Sequence, residues 1–185
     1  MVYLSAGHNS KSKSIKQDPG AVNSEGVKEG DLTIEFRDLV KVELDKLGVK
    51  YITDSDEESL SMYLKRVQTG AGSVVVEYHF DAADSSTASG TTALVGEDAD
   101  RLDKAFAKDM VDNVAEVLGV KSRGVISEAE SHRGKLGLMR EHGTVCLVEL
   151  CFITNDGDLN KYNWFKNILA ATQAKLISKY ENLIS

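Results

Sequence analysis

Two histidines follow apolar runs that have the composition of buried strands. His8 comes after the run 2–6, and His79 closes the valine-rich run 73–78. Ligands in open α/β sheets bind at the carboxyl ends of the strands, so we expect both imidazoles at one edge of a sheet. A histidine at such a position binds a metal, carries a proton or is merely structural.

Two glutamates are expected at the same edge. Glu29 opens a predicted helix directly after the loop that leaves His8, although a carboxylate there can also simply stabilise the helix amino terminus. Glu25 is the alternative carboxylate in that loop. Glu149 lies inside the apolar run 145–153, and carboxylates are almost never buried without a partner.

Two imidazoles and one carboxylate are a usual ligand set for catalytic zinc, with a fourth position left open for water. Zinc lowers the pKa of that water to about 7, and a further carboxylate then moves its proton to the leaving group. We therefore predict that His8, Glu29 and His79 bind Zn²⁺ and that Glu149 is the catalytic base. The spacing is too wide for a compact motif, so the residues alone predict a metal hydrolase of unknown substrate.

The elements that must position these residues alternate between strand and helix. Strand-like runs lie near 2–6, 49–52, 73–78, 91–95 and 145–150, and helical apolar stripes lie near 32–47, 60–67, 102–118 and 162–180. Ser55 and Glu58 match a capping box before the second helix, and the stretch 122–142 has an irregular pattern. This order predicts one α/β domain, residues 1–185, with a twisted, mostly parallel sheet and helices on both faces.

Composition excludes several kinds of partner. The formal net charge of -7 argues against nucleic acid, because phosphate backbones require clustered Lys and Arg. No run approaches the roughly 20 apolar residues that span a membrane, so no membrane insertion is expected. Cys146 and Cys151 are five residues apart, a spacing that places them on opposite faces of a strand and predicts two buried thiols without a disulfide.

The residues also resemble a known family, the zinc-dependent N-acetylmuramoyl-L-alanine amidases of the amidase 3 type, found in bacterial autolysins and phage endolysins. Leu4 to His8 resembles the strand with the first metal histidine, and the segments 18–21 and 26–33 resemble the Asp-Pro-Gly-Ala loop and the segment with the metal glutamate. The segment 77–82 resembles Ser-Ile-His-x-Asn-Ala, and 148–155 resembles Val-Glu-Leu-Gly-Phe-Ile-Thr-Asn. The resemblance implies the same roles for His8, Glu29, His79 and Glu149.

The chain departs from the family pattern at several positions. Asp81 replaces the Asn after the histidine, Cys151 replaces a Gly, and Asp54 stands where the family has Arg. None of these changes removes a predicted ligand or the predicted base. His132 and His142 fall in the irregular stretch, where they and the neighbouring arginines are candidates for lining a substrate cleft.

The resemblance implies a peptidoglycan hydrolase that cleaves the amide between N-acetylmuramic acid and L-alanine. Two alternatives stay open: a zinc carboxypeptidase-like hydrolase of wall peptides, and a non-enzymatic wall-binding module. We expect a monomer that acts on the cell wall with peptidoglycan as its partner. The first residues lack a basic, cleavable signal segment, which favours an endolysin made in the host cytoplasm.

Overall fold

The computed structural model describes residues 1–131 and 133–184. Its strands and α-helices alternate through most of the chain. In chain order they are β1 (Val2–Ala6), α1 (Glu29–Lys46), β2 (Tyr51–Thr53), α2 (Leu60–Arg66), β3 (Val74–Asp81), β4 (Thr91–Val95), α3 (Arg101–Leu118), β5 (Ser122–Ser127), β6 (Thr144–Phe152) and α4 (Asp156–Ile184).

The six strands form one sheet in the order β2-β1-β3-β6-β4-β5. β2, β1, β3 and β6 run parallel to one another, while β4 pairs antiparallel with β6 and parallel with β5. The predicted α/β fold with a mostly parallel sheet is therefore confirmed. The carboxyl ends of β1, β3 and β6 meet the amino ends of β4 and β5 at one edge, which we call the site edge.

Helices cover the two faces of the sheet unequally. α1, α3 and α4 pack on the face that carries Val76, Tyr78 and Val148, and together they bury the larger core. The opposite face, which carries Tyr3, Val75 and Leu147, is covered by α2 and a short 3-10 helix, Gly137–Arg140. We call this second side the lightly covered face. No helix in the described residues combines the length and the apolar character needed to cross a bilayer.

The start of α2 differs from the sequence prediction. Ser59, not Ser55, is the N-cap residue, since its hydroxyl accepts a hydrogen bond from the Met62 backbone N–H at 3.3 Å. Ser55 and Glu58 do form a reciprocal contact, in which the Glu58 carboxylate accepts from the Ser55 backbone N–H at 2.7 Å and the Ser55 carbonyl accepts from the Glu58 N–H at 3.1 Å. That contact closes a turn before the helix. Local hydrogen bonding of this kind stabilises a turn as readily as a helix start.

The stretch 122–142 also differs from the prediction, because it contains regular structure. β5 is the last strand of the sheet, and the 3-10 helix packs on the lightly covered face. The strand was missed because its sequence, SRGVIS, lacks the apolar alternation of a half-buried strand and contains Gly124 with a positive φ of 85°.

A β-bulge changes the expected placement of the two cysteines. His79 pairs with Glu149, whereas Asp81 pairs with Phe152, so β6 contains one extra residue between these pairs. The bulge reverses the alternation of side chains, and both Cys146 and Cys151 pack in the larger core. Both are buried free thiols, as predicted, but the argument from opposite faces was wrong.

Candidate metal centre

His8, Glu29 and His79 converge at the site edge. One potential ligand atom from each lies within 4.8 Å of the others. The Glu29 carboxylate sits between the rings, with Oε2 3.2 Å from His8 Nε2 and Oε1 2.9 Å from His79 Nδ1. The ring centroids are 5.0 Å apart and the rings are nearly perpendicular, at 82°. The structure thus brings together the three residues that the sequence predicted as zinc ligands.

Backbone geometry fixes this arrangement. The Gly7 N–H donates to the Tyr78 carbonyl at 3.0 Å, which extends the pairing of β1 with β3 up to His8. A Cβ at Gly7 would stand 2.2 Å from His79 Cε1, so only glycine fits beside that ring. Glu29 is held from the main chain as well, since its oxygens accept from the backbone N–H groups of Ala21 at 2.9 Å and Phe80 at 3.1 Å.

A second layer of carboxylates contacts the outer nitrogens of both imidazoles. Asp18 Oδ2 lies 2.9 Å from His8 Nδ1, and Glu77 Oε1 lies 3.0 Å from His79 Nε2. The Ser5 hydroxyl donates to Glu77 Oε2 at 2.8 Å. Carboxylates that accept the outer N–H of a histidine fix its tautomer and leave the inner nitrogen free to bind a metal.

The electrostatics of the cluster reflect these contacts. Burial alone would lower the pKa of His79, but hydrogen bonds to Glu29 and Glu77 outweigh it and raise that pKa to about 10. The pKa of His8 is raised because its contact with Glu29 outweighs burial. Burial also opposes ionisation of Glu29, yet the two imidazoles hold its pKa well below the usual range. The Glu29 carboxylate thus lies between two imidazoles, and the donor set of two nitrogens and a carboxylate fits zinc.

Glu149 lies next to this cluster on β6, where it is the register partner of His79. Its side chain is buried, and neither carboxylate oxygen accepts a hydrogen bond within the described residues. Arg133 Nη1 approaches Oε1 at 2.6 Å, without the alignment of a hydrogen bond. Burial raises the pKa of Glu149 to about 7, although the positive charges of His79 and Arg133 act in the opposite direction.

A cleft of about 510 Å³ opens beside Glu149 on the lightly covered face. Thr92 and Leu94 form its floor, β5 forms one wall, and Arg133 reaches in from the segment that follows β5. Asp81 lines the cleft too, 3.6 Å from Arg133. The position at which the chain departs from the family's Asn therefore faces the same space as Glu149.

The other candidate residues lie elsewhere. Glu25 is in an exposed turn outside the cluster. His142 is exposed and lines a separate surface pocket with Asp98 and Asp103. Arg140 pairs with the buried Glu128 at 2.8 Å instead of lining the cleft. The prediction for His132 lies outside the described residues.

Glu77 and Asp18 contact the two histidines, and sequence reasoning assigned neither role. Glu77 was the easier of the two to find. It was read as one residue of a buried strand, and the contact with His79 was not foreseen. A signal was present, because Glu77 is a carboxylate between Val76 and Tyr78 in an otherwise apolar run. The same signal singled out Glu149.

Comparisons with known proteins agree with the geometry. The sequence profile of the family described as N-acetylmuramoyl-L-alanine amidase matches residues 2–179. Among curated protein sequences, none matches this chain significantly.

Several solved structures share the fold. An N-acetylmuramoyl-L-alanine amidase from Clostridium difficile 630 aligns with a TM-score of 0.78 and 17% identity, over 98% of this chain and 96% of that one. The catalytic domain of CwlV, an N-acetylmuramoyl-L-alanine amidase from Bacillus (Paenibacillus) polymyxa var. colistinus, aligns with a TM-score of 0.74 and 22% identity, over 100% and 98%. The catalytic domain of the CD27L endolysin, which targets Clostridia difficile, aligns with a TM-score of 0.72 and 20% identity, over 98% and 96%.

Proposed function

Since this chain belongs to the N-acetylmuramoyl-L-alanine amidase family and is a peptidoglycan amidase, we propose that it works with a zinc ion held by His8, Glu29 and His79. In this proposal Glu149 is the catalytic base. The family membership sets aside the two alternatives, a carboxypeptidase-like hydrolase and a non-enzymatic wall-binding module. The single observation that carries the proposal is the convergence of the three ligands within 4.8 Å, beside a buried carboxylate without a hydrogen bond.

The three ligands are suited to hold zinc with little rearrangement. His8 presents Nε2 and His79 presents Nδ1 to the same point, while Asp18 and Glu77 accept the outer N–H groups. Bound zinc would supply Lewis-acid polarisation of the scissile carbonyl and a water of lowered pKa. Binding requires the inner nitrogens to give up their protons, because only the neutral imidazole coordinates a metal.

Glu149 has the properties that a base beside this centre needs. Its burial raises its pKa to about 7, close to the value at which a group both accepts and releases a proton readily. It takes the proton from the attacking water and passes it to the amine of L-alanine as the amide bond breaks. Oε1 faces Arg133, whereas Oε2 has neither a hydrogen bond nor an ion pair within the described residues, so Oε2 is available to the reacting water.

The test is to replace Glu149 by Gln and to follow two quantities separately. We expect Glu149→Gln to lower the release of L-alanine amino termini from peptidoglycan by on the order of 10²–10⁴-fold, because the general base is lost. Zinc content, measured by metal analysis, should stay near that of the unchanged protein. Glu25→Gln is the matched control, since Glu25 is exposed and lies outside the cluster.

Two results would contradict the proposal. Full activity in Glu149→Gln would assign the base to another residue. Full zinc binding after His8→Ala or His79→Ala would show that the metal is held elsewhere. Mass spectrometry of the products identifies the bond, because an amidase leaves muramic acid without its peptide.

We further propose that residues 1–185 act as one catalytic domain and as a monomer on the cell wall. Its manufacture in a host cytoplasm as a phage endolysin stays a prediction. Sedimentation of the purified chain tests whether it is a monomer. The genes that flank its own gene test whether it is a phage endolysin.

A further inference from the structure

Two cations on the β5 side of the cleft have no ionic partner among residues 1–131 and 133–184. Lys121 and Arg123 line the cleft at the amino end of β5, both are exposed, and neither forms an ion pair within the described residues. The acidic groups beside them are already engaged, since Asp81 and Glu149 both face Arg133. In the part of the chain that the structure describes, positive charge without an ion pair therefore lines the β5 wall of the cleft.

The third acidic group of the cleft forms no ion pair with these cations within the described residues. Glu130 accepts from the Ser127 backbone N–H at 2.8 Å and from its hydroxyl at 2.9 Å, which ties it to the end of β5. The chain as a whole carries a formal net charge of -7, so an anionic ligand depends on local cations such as Lys121 and Arg123 for attraction to the cleft. Local positive potential of this kind attracts an anionic ligand group.

The sheet register places these cations at a defined distance from Glu149. Thr92 pairs with Glu149 on one side, and its neighbour Thr91 pairs with Ser122 on the other. Arg123 is therefore two strands away from Glu149, which corresponds to about 10 Å. Its guanidinium carbon lies 5.2 Å from the centre of the Phe152 ring, so the side chain leans back toward the end of β6.

That distance matches a short stretch of substrate. An extended peptide covers about 3.3–3.6 Å per residue, so about 10 Å spans roughly three residues beyond the scissile amide. The lean of Arg123 toward β6 shortens this distance and favours the second of them, the residue after L-alanine. We propose that Lys121 and Arg123 bind a carboxylate carried by one of the first residues of the stem peptide. They thereby make this enzyme prefer stems with a free carboxylate over stems in which it is a carboxamide. This inference rests on the proposed function.

The experiment compares two soluble muramoyl peptides that differ at one group. Both contain the muramoyl–L-alanine amide, and the residue after L-alanine carries either a free carboxylate or a carboxamide. For the unchanged, zinc-loaded protein we expect kcat/KM to be at least about tenfold higher with the carboxylate, because hydrogen bonds to charged groups are worth that much. The preference should shrink as salt is added, since the cations are exposed.

Removing the cations should abolish the preference selectively. In the double variant Lys121→Gln/Arg123→Gln we expect kcat/KM for the carboxylate substrate to fall by about tenfold or more, to the level of the amidated substrate. Activity on the amidated substrate should change by less than about twofold, because no charged partner is lost there. Arg101→Gln is the matched control, since Arg101 is an exposed arginine at the start of α3, outside the cleft.

The outcomes separate this inference from the proposed function. Equal cleavage of both substrates by the unchanged protein overturns the inference and leaves the amidase proposal intact. Equal losses on both substrates in the double variant also overturn it, because they indicate a general role in folding or catalysis. Cleavage of neither substrate by the unchanged protein overturns the zinc-amidase proposal and this inference with it.

Discussion

Glu149 combines burial, a nearby positive charge and two oxygens that accept no hydrogen bond within the described residues. An ionised carboxylate in such surroundings is poorly compensated, which is why its pKa rises to about 7 from an ordinary value near 4.5. At the scale of single residues, the group that makes the site reactive therefore also opposes folding.

Replacing Glu149 by Gln should stabilise the metal-free protein in a pH-dependent way. Between these two pKa values the folded state holds a proton on Glu149 that the unfolded chain releases. The contribution of protonated Glu149 to the free energy of unfolding is therefore fully present below about pH 4.5 and is lost as pH rises through about 7. Gln stays neutral throughout. The stability advantage of Glu149→Gln should grow between pH 4.5 and pH 8, to at most about 3 kcal/mol, as measured by chemical unfolding. An advantage that does not change with pH would refute this explanation, and Glu25→Gln should show none.

Removing the Glu77 carboxylate should weaken zinc binding. We expect Glu77→Ala to raise the zinc dissociation constant by about 10- to 100-fold, because His79 loses the partner that fixes its tautomer. Glu77→Gln should have a smaller effect, since its carbonyl still accepts the imidazole N–H. Competition with a chromophoric chelator measures the constant, and circular dichroism checks the fold. Ser5→Ala is the control, because it removes the Glu77–Ser5 bond and leaves the contact with His79.

The sequence identified the predicted metal ligands better than the residues that contact those ligands and hold them in place. His8, His79 and Glu149 were visible because each is a polar residue at or near the end of an apolar run. Asp18 could not be assigned in this way, because its role depends on a contact with His8 at a sequence separation of 10 residues. Glu77, two residues before His79, was passed over although it is a carboxylate in an apolar run, like Glu149. The pairing of Arg133 with Glu149 depends likewise on how the segment after β5 lies over the sheet.

At the scale of elements, the close approach of β1 to His79 determines what Gly7 can be. Gly7→Ala should displace the His79 ring, since the added Cβ would stand 2.2 Å from its Cε1. We expect loss of zinc binding with little change in circular dichroism. Gly70→Ala is the control, because a Cβ at Gly70 has no neighbour within 4 Å. A Gly7→Ala protein that binds zinc normally would show that the ring has room to move.

The helices were easier to predict than the strand arrangement. The start of α1 at Glu29 and the left-handed glycine that closes α3, Gly119 with φ 63°, follow from local chemistry in the chain. The antiparallel placement of β4 does not, because the direction in which a strand joins a sheet depends on the whole connection. The bulge after Glu149 was hidden too, since an extra strand residue leaves no mark on an apolar run.

At the scale of the whole molecule, zinc binding and folding should be coupled. A ligand that binds only the folded state stabilises it by about 2.7 kcal/mol at one hundred times its dissociation constant. For a chain of this size we expect zinc to raise the melting temperature by roughly 5–10 °C over the chelated protein. The shift should be smaller at pH 6 than at pH 8, because zinc must displace protons from His8 and His79, whose pKa values are raised.

A variant with both histidines replaced by alanine provides the control for this measurement. His8→Ala/His79→Ala should show no zinc-dependent change in melting temperature at either pH. A shift that persists in the double variant would mean that zinc stabilises the fold from another location.

Because helices cover the two faces of the sheet unequally, neighbouring residues on one strand have different roles: one packs in the core and the next belongs to the metal site. On β3, Val76 and Tyr78 face the three long helices, while Glu77 and His79 face the lightly covered side. Residues that stabilise the core and residues that form the site therefore alternate along the same strand. A slip of one residue in the pairing of β3 would put tyrosine where the histidine stands and a charge into the apolar core. A register shift of β3 would therefore destroy the metal site together with the core packing. Zinc binding by the chain then also indicates that its central strands are paired in the correct register.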